Sequence, residues 1–106
     1  MVVYNVTVSV SPAKSAEWLD FMRLEHVPEV LATGAFRDYK ICRVLVYEDG
    51  GQTFAIQYVA WSADHLRRYT TEHAPRLQTA HKNRFGEDAV AFRTVLEVIE
   101  EGPSAP

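Results

Sequence analysis

The sequence predicts an α+β domain in which two helices cover one face of a four-stranded antiparallel sheet. Two kinds of periodicity support this fold class. Segments whose apolar residues alternate with period 2 occur at both ends of the chain, as half-buried strands require. Segments with helical period follow the first and third of the predicted strands, and a glycine-rich hairpin sequence lies between the second and third strands. The predicted element order is therefore βαββαβ.

The first strand is the clearest element. "VVYNVTVSV" (2–10) alternates strictly, with Tyr4 among the valines on one face and Asn5, Thr7 and Ser9 on the other. "FRDYKICRVLVY" (36–47) is rich in β-branched and aromatic residues, and "EDGG" (48–51) is typical of a hairpin turn. "QTFAIQYVAW" (52–61) and "AVAFRTVLEVI" (89–99) complete the sheet.

Each helix has recognisable ends. Ser11 and Pro12 are suited to the N-cap and N1 positions of the first helix, and "ATG" (32–34) supplies a glycine for its C-terminus. Ser62 is the predicted N-cap of the second helix, which Gly86 ends. With these helices on one side of the sheet, the plan is the split βαβ, or ferredoxin-like, fold.

Length and charge exclude several classes of protein. At 106 residues the chain forms one domain, which we place at residues 1–99, followed by a disordered tail at 100–106. The 11 basic residues are outnumbered by 14 acidic ones, which disfavours nucleic-acid and anionic-membrane partners. Cys42 is the single cysteine, and no apolar run is long enough for a signal or transmembrane segment. These features predict a cytoplasmic protein.

The sequence "EHVP" (25–28) is nearly repeated as "EHAP" (72–75). A proline inside a helix removes one hydrogen bond and clashes with the carbonyl four residues earlier. We therefore expect each helix to break or kink near its EHxP sequence. The two copies occupy equivalent places in the two βαβ halves, whose helices run antiparallel, so His26 and His73 should lie at opposite ends of the domain.

His26 and His73 are candidate catalytic residues, since each lies on the apolar stripe of its helix beside a predicted break. A histidine at such a place is a proton-transfer candidate, although a capping or packing role is the more common one. His65, His73 and His81 recur every eight residues, but that spacing drifts around a helix and does not suit one metal ion. We predict no metal and no cofactor.

Polar residues mark the sheet face that the helices leave open. Alternation places four polar candidates there: Asn5, Lys40, Gln57 and Arg93. If a bulge intervenes in the second strand, Arg43 takes the place of Lys40 on this face. The face also carries Val3, Ala55 and Val59, so it is too apolar to suit water and too polar for a simple core. We expect it to be buried against a second copy of the chain in a homodimer. An ordinary solvated face is the alternative.

The ordered sequences "YNVTV", "WLDFMRLEHVPEVLATGAF", "YKICR", "AIQY", "EHAPRLQ" and "AFRTVLEV" resemble an uncharacterised bacterial family, a domain of unknown function in the dimeric α/β-barrel superfamily. The resemblance spans residues 1–99. It implies a ferredoxin-like protomer that dimerises through its sheet, and it implies no activity. In many proteins of that superfamily a pocket lies between sheet and helices. Besides the two histidines, such a pocket would enclose Tyr4, Trp18, Met22, Tyr58 and Tyr69.

Three functions remain open at this point. The first is binding of a small organic ligand between sheet and helices, with a histidine that orients a polar group. The second is a cofactor-independent enzyme, similar to an oxygenase or isomerase, with His26 or His73 as general base. The third is a dimerisation module without small-molecule chemistry.

Overall fold

A computed structural model describes residues 1–45 and 52–104 of the chain. Its four strands form one antiparallel sheet in the order β2-β3-β1-β4. The strands are β1 (Val2–Val10), β2 (Phe36–Arg43), β3 (Gln52–Ala60) and β4 (Ala89–Glu97). All helices pack on one face of the sheet. The ferredoxin-like βαββαβ fold predicted from the sequence is confirmed.

Two helical stretches connect these strands. Their α-helical parts are α1 (Ser15–Phe21), α2 (Val27–Ala32), α3 (Ala63–Glu72) and α4 (Ala74–Phe85), with 3₁₀ turns at Pro12–Lys14 and Gly86–Asp88. The Ser62 hydroxyl accepts the backbone N–H of His65 at 3.1 Å, so the predicted N-cap is present. Gly34 and Gly86 have φ of 80° and 54°, the left-handed region that glycine adopts without strain. Within residues 1–45 and 52–104 no helix is long and apolar enough to cross a membrane.

The first helical stretch does not break at its EHxP sequence. A π-helical segment, Met22–His26, joins α1 to α2, and the backbone N–H of Val27 bonds to the carbonyl oxygen of Met22, five residues earlier. Pro28 then lies in the first turn of α2, where a missing N–H costs little. The regular α-helix is interrupted at the predicted place, but by a π turn that accommodates the proline and not by a break.

The second helical stretch does break, at His73. This residue has φ −123° and ψ −39°, outside the helical region, and it ends α3 while serving as N-cap of α4. Pro75 lies in the first turn of α4, as Pro28 does in α2. The segment after this break is a full helix of 12 residues.

The core lies between the sheet and the helices. Its largest fully buried side chains are Trp18, Phe54, Ile56, Tyr58 and Leu77. Burying a side chain of this size stabilises a fold by roughly 1.5–3 kcal/mol. The helices are held against the sheet mainly by this apolar contact.

β2 ends at Arg43, earlier than the predicted limit of residue 47, and the hairpin sequence 48–51 lies outside the described residues. A β-bulge between Phe36 and Asp38 changes which side chains of β2 face the helices. Lys40 pairs with Gln57, so it lies on the open face, whereas Arg43 pairs with the buried Phe54 and faces the helices. Of the two residues considered for the open face, Lys40 and Arg43, the structure therefore places Lys40 there.

The prediction for Arg93 was wrong. β4 pairs with β1 so that Arg93 lies opposite Val6 and Thr94 lies opposite Asn5. Arg93 therefore faces the helices, and the open face of β4 carries Val90, Phe92, Thr94 and Leu96. A polar row consequently crosses the open face through Lys40, Gln57, Asn5 and Thr94.

Candidate functional site

A small cavity of about 30 Å³ lies between the sheet and the helices. Apolar walls come from β1, β4, α2 and α4, and include Val6, Val8, Val30, Leu77 and Ala91. Polar groups reach it from several elements, namely Tyr4, Tyr58, Tyr69, His26, Gln78 and Arg93. An apolar enclosure with a few convergent polar groups is typical of a small-molecule site.

Three tyrosines and Phe36 form an aromatic cluster at one side of the cavity. The Tyr4 ring lies 6.1 Å from that of Tyr58 and 5.8 Å from that of Tyr69, between ring centroids. The Phe36 ring lies 5.1 Å from Tyr58 and 4.9 Å from Tyr69. Burial raises the pKa of all three phenols, so they remain protonated and can donate hydrogen bonds at neutral pH.

His26 contributes a neutral imidazole to the cavity. The π-helical segment places this half-buried residue with its ring 5.7 Å from Phe21 and 5.8 Å from His81, between centroids. Burial, followed by the nearby His81 and Arg93, lowers the pKa of His26 from 6.5 to about 4. No hydrogen bond joins the His26 ring to another side chain within the described residues. The ring is thus an uncommitted proton acceptor.

His81 is buried beside His26 and has a fixed partner. The indole Nε1–H of Trp18 donates to His81 Nε2 at 2.9 Å. Since Nε2 accepts this bond, the proton of a neutral His81 lies on Nδ1. Burial and Arg93 lower the pKa of His81, in keeping with a ring that accepts a hydrogen bond. Trp18 itself does not line the cavity; it packs on Phe54, with ring centroids 4.9 Å apart, and holds His81 in position.

Arg93 and Gln78 approach the cavity from β4 and α4. Both lie within hydrogen-bonding reach of the Tyr4 hydroxyl. Arg93 also lies near enough to Tyr69 for its charge to favour the ionised phenol, although burial outweighs that effect on the pKa. The guanidinium therefore acts on both the tyrosine side and the histidine side of the cavity.

His73 lies elsewhere. It lines an open groove of about 230 Å³ between α3 and the turn that precedes β2, together with His65, Arg68 and Glu72. An Arg76 guanidinium nitrogen lies 3.2 Å from His73 Nδ1. The two EHxP histidines line separate depressions, so they do not form one site.

Of the residues predicted for the pocket, five line the cavity: Tyr4, Met22, His26, Tyr58 and Tyr69. Trp18 does not line the cavity but donates a hydrogen bond to His81, which does, and His73 does not reach it. The sequence reasoning did not identify Arg93, Gln78 and His81 as pocket residues. His81 could have been recognised from its spacing, because it lies between Leu77 and Phe85 on the buried stripe of α4.

Metal-binding residues do not cluster in the described part of the chain. No group of three or more histidine, cysteine, aspartate or glutamate side chains there is arranged to hold a metal ion. His65 and His73 share the groove, but their nearest neighbours include Arg68 and Arg76.

Several solved structures share this fold. SnoaB, a cofactor-independent oxygenase from Streptomyces nogalater, is 14% identical over 97% of this chain and 98% of its own, with a TM-score of 0.67. HapK from Hahella chejuensis is 7% identical over all of both chains, with a TM-score of 0.70. An EthD family protein from Bacillus halodurans is 14% identical over 93% of this chain and 100% of its own, with a TM-score of 0.66. At these identities the likeness concerns the fold.

Among curated proteins none matches the chain. A family model does match, that of the domain of unknown function DUF4286, and it covers residues 1–99. This range includes all four strands, the helices between them and the cavity. The chain therefore belongs to the DUF4286 family and has a ferredoxin-like fold similar to that of the oxygenase SnoaB.

Proposed function

We propose that the protein binds a small organic ligand in the cavity between the sheet and the helices. The observation that carries this proposal is the convergence of polar groups, His26 and Arg93 above all, on a cavity whose other walls are apolar, with no hydrogen-bond partner for the His26 ring among the described side chains. Buried polar groups are normally paired within the fold, because leaving them unpaired costs free energy. Groups that instead point into a cavity are suited to a ligand.

The cavity must widen when a ring-sized ligand enters. Its 30 Å³ has room for about one or two water molecules. Two of its side chains can move readily: Met22 is unbranched and flexible, and Arg93 lies at the solvent-exposed edge strand β4. Their displacement would open the cavity from the side of the sheet edge.

Catalysis without a cofactor is the second candidate, and His26 is the observation that favours it. A general base must be unprotonated and within reach of the substrate. With a pKa lowered to about 4 by burial, the His26 imidazole is unprotonated at neutral pH, and it lines the cavity. His73 lines a separate groove and does not reach this cavity. The cofactor-independent oxygenase SnoaB shows that the fold accommodates such chemistry in another protein.

We also propose that the protein is a homodimer through the open face of its sheet. Phe92 and Val90 lie on that face with 64% and 59% of their surface exposed. Asn5 Oδ1 is buried on the same face and accepts no hydrogen bond within the described residues. A second copy packed there would cover the apolar side chains and bring polar groups near this oxygen.

Methionine NMR tests ligand binding directly. The chain has two methionines; Met22 lines the cavity, whereas Met1 lies outside it and is 46% exposed. In protein labelled with ¹³C at the methionine methyl groups, small aromatic ligands should shift the Met22 signal and leave that of Met1 in place. Ala91→Leu, which fills the cavity, should abolish the shift, and Ala16→Leu on the exposed face of α1 should not.

The same samples separate binding from catalysis. A binding protein returns its ligand unchanged after incubation in air, as mass spectrometry would show. An enzyme converts it. In that case the His26→Gln variant should lose turnover, while the ligand should still shift its Met22 signal. If no small molecule moves Met22, the dimerisation module is the function that remains.

A further inference from the structure

Arg93 gives the cavity a definite charge. Among the described residues that line it, Arg93 alone carries a permanent charge, and no carboxylate lines it at all. The ion pairs found in residues 1–45 and 52–104 involve Lys14, Arg37, Arg67 and Arg84, and none involves Arg93. The guanidinium at the cavity is therefore without a counter-charge in the described part of the protein.

The neighbours of Arg93 are hydrogen-bond donors or neutral rings. The Tyr4 hydroxyl and the Gln78 amide lie together at its end of the cavity, and both can donate to an oxygen atom bound there. His26 and His81 are neutral at physiological pH, so they neither repel Arg93 nor compete with it for an anion. One cation and several neutral donors converge on one space.

We propose that this cavity selects organic anions, with Arg93 and Tyr4 holding a carboxylate or a similarly acidic oxygen and the tyrosine cluster contacting the attached ring. This inference rests on the proposed binding function and names its ligand class. Arginine pairs with carboxylates through parallel charge-assisted hydrogen bonds, and a neutral amide cannot form these with equal strength. A cationic ligand would meet Arg93 with no carboxylate to offset it.

Three probes of nearly equal shape test the charge selectivity: benzoate, benzamide and benzylamine. Their affinities are measured from the ¹³C shift of the Met22 methyl group. Benzoate should bind about tenfold or more tightly than benzamide, as a hydrogen bond to a charged partner implies, and benzylamine should bind most weakly.

Variants assign this preference to Arg93. Arg93→Gln should bring benzoate and benzamide to within about twofold of each other, whereas Arg93→Lys should keep part of the difference. Arg23→Gln removes an exposed arginine of the first helical stretch that does not line the cavity, and it should leave the preference unchanged. Because Arg93 is exposed on an edge strand, its substitution should leave the fold intact, which urea unfolding of the variant verifies.

The outcomes distinguish failure of the anion selectivity from failure of ligand binding itself. If benzamide or benzylamine binds as tightly as benzoate, the anion selectivity is overturned and ligand binding stands. If Arg93→Gln retains the preference, Arg93 is not the anion-binding group and the inference fails. If none of the three probes moves the Met22 signal, the inference and the proposed ligand cavity both fail.

Discussion

At the residue scale, the environment of His26 ties the stability of the protein to pH. Its pKa is about 4 in the folded chain and near 6.5 when unfolded. Between these values the unfolded chain binds a proton that the folded chain does not bind. The free energy of unfolding should therefore fall as pH drops through this range, by up to about 3 kcal/mol from His26.

Urea unfolding across this pH range measures the effect. His26→Gln removes the titrating group, so the stability of this variant should depend less steeply on pH than that of the native protein. Because the pKa of His81 is also lowered, the free energy of unfolding of the variant should still fall as pH drops, but less steeply. Identical pH dependence in the two proteins would show that His26 is not held neutral by burial.

The Trp18–His81 hydrogen bond gives a second prediction at this scale. His81→Leu leaves the buried indole N–H without an acceptor and should lower the free energy of unfolding by about 1–3 kcal/mol. His81→Gln retains an acceptor oxygen and should cost less. Urea unfolding of the two variants compares them; equal losses would mean that packing, not this bond, accounts for the role of His81.

Individual residues were the hardest to predict from the sequence. In β4, apolar side chains occupy both faces: Val90 and Phe92 on one, Ala91 and Val95 on the other. Alternation alone therefore could not decide which face Arg93 belongs to; its pairing with Val6 decides it. Tyr4 could be predicted from the strict alternation of β1, and Met22 and His26 from their four-residue spacing, which places both on one side of the helical stretch.

At the element scale, the π-helical segment Met22–His26 determines which side chains of the first helical stretch face the core. A π turn takes one more residue than an α turn, and such turns recur at functional sites. Upstream of it Trp18 and Met22 face the core, and downstream of it Val27 and Val30 do so. Because the π turn takes up one residue more than an α turn, both sets of side chains face the core although five residues separate Met22 from Val27.

Deleting Leu24 tests this role, because it is an exposed residue of the segment, with 74% of its surface accessible. Removing it should restore a regular α-helix in which Trp18, Met22, Val27 and Val30 still face the core, because the π turn holds one residue more than an α turn. Pro28 would then lie inside a regular helix, where its ring clashes with the carbonyl four residues earlier, and the free energy of unfolding should fall by about 3 kcal/mol.

Leu24→Ala is the matched control for the deletion. It removes the same exposed side chain but keeps the residue count, so stability should change by no more than about 0.5 kcal/mol. Similar stability of the deletion and the substitution, by thermal or urea unfolding, would show that the π turn has no structural role.

The two EHxP sequences show how far local rules determine an element. A helix-disrupting proline could be predicted at both places, and one stretch breaks at His73 while the other widens at Met22–His26. In both stretches the proline lacks a backbone N–H and its ring clashes with the carbonyl four residues earlier in a regular helix. Tertiary packing decides the response, since each stretch must keep a different set of side chains in contact with the sheet.

At the scale of the whole molecule, the open sheet face determines the expected assembly. Phe92→Lys places a charge on that face at a residue that is 64% exposed in the protomer. We expect it to dissociate the dimer without unfolding the chain. Leu24→Lys changes a residue on the helical side that is 74% exposed, and it should leave the dimer intact. Sedimentation at micromolar concentration measures both; a native protein that sediments as a monomer would contradict the proposed dimer.

The fold class could be predicted nearly in full. It follows from periodicity, from capping residues and from the order of helices and strands along the chain, all of which can be read from the sequence. The cavity could not be predicted to the same degree. Its shape depends on side chains from β1, β4, α2 and α4 that meet only after folding. His81 and Gln78 lie beside His26 and Tyr4 through contacts between helix and helix or helix and sheet, which no sequence period encodes.

The most direct test of the central claim, a ligand cavity between sheet and helices, is a crystal structure of the protein grown with benzoate. We predict electron density for the ring between β1 and α4, with the carboxylate beside Arg93 and the Met22 side chain displaced. A cavity that stays closed at its present 30 Å³, with benzoate absent or bound elsewhere on the surface, would contradict the claim.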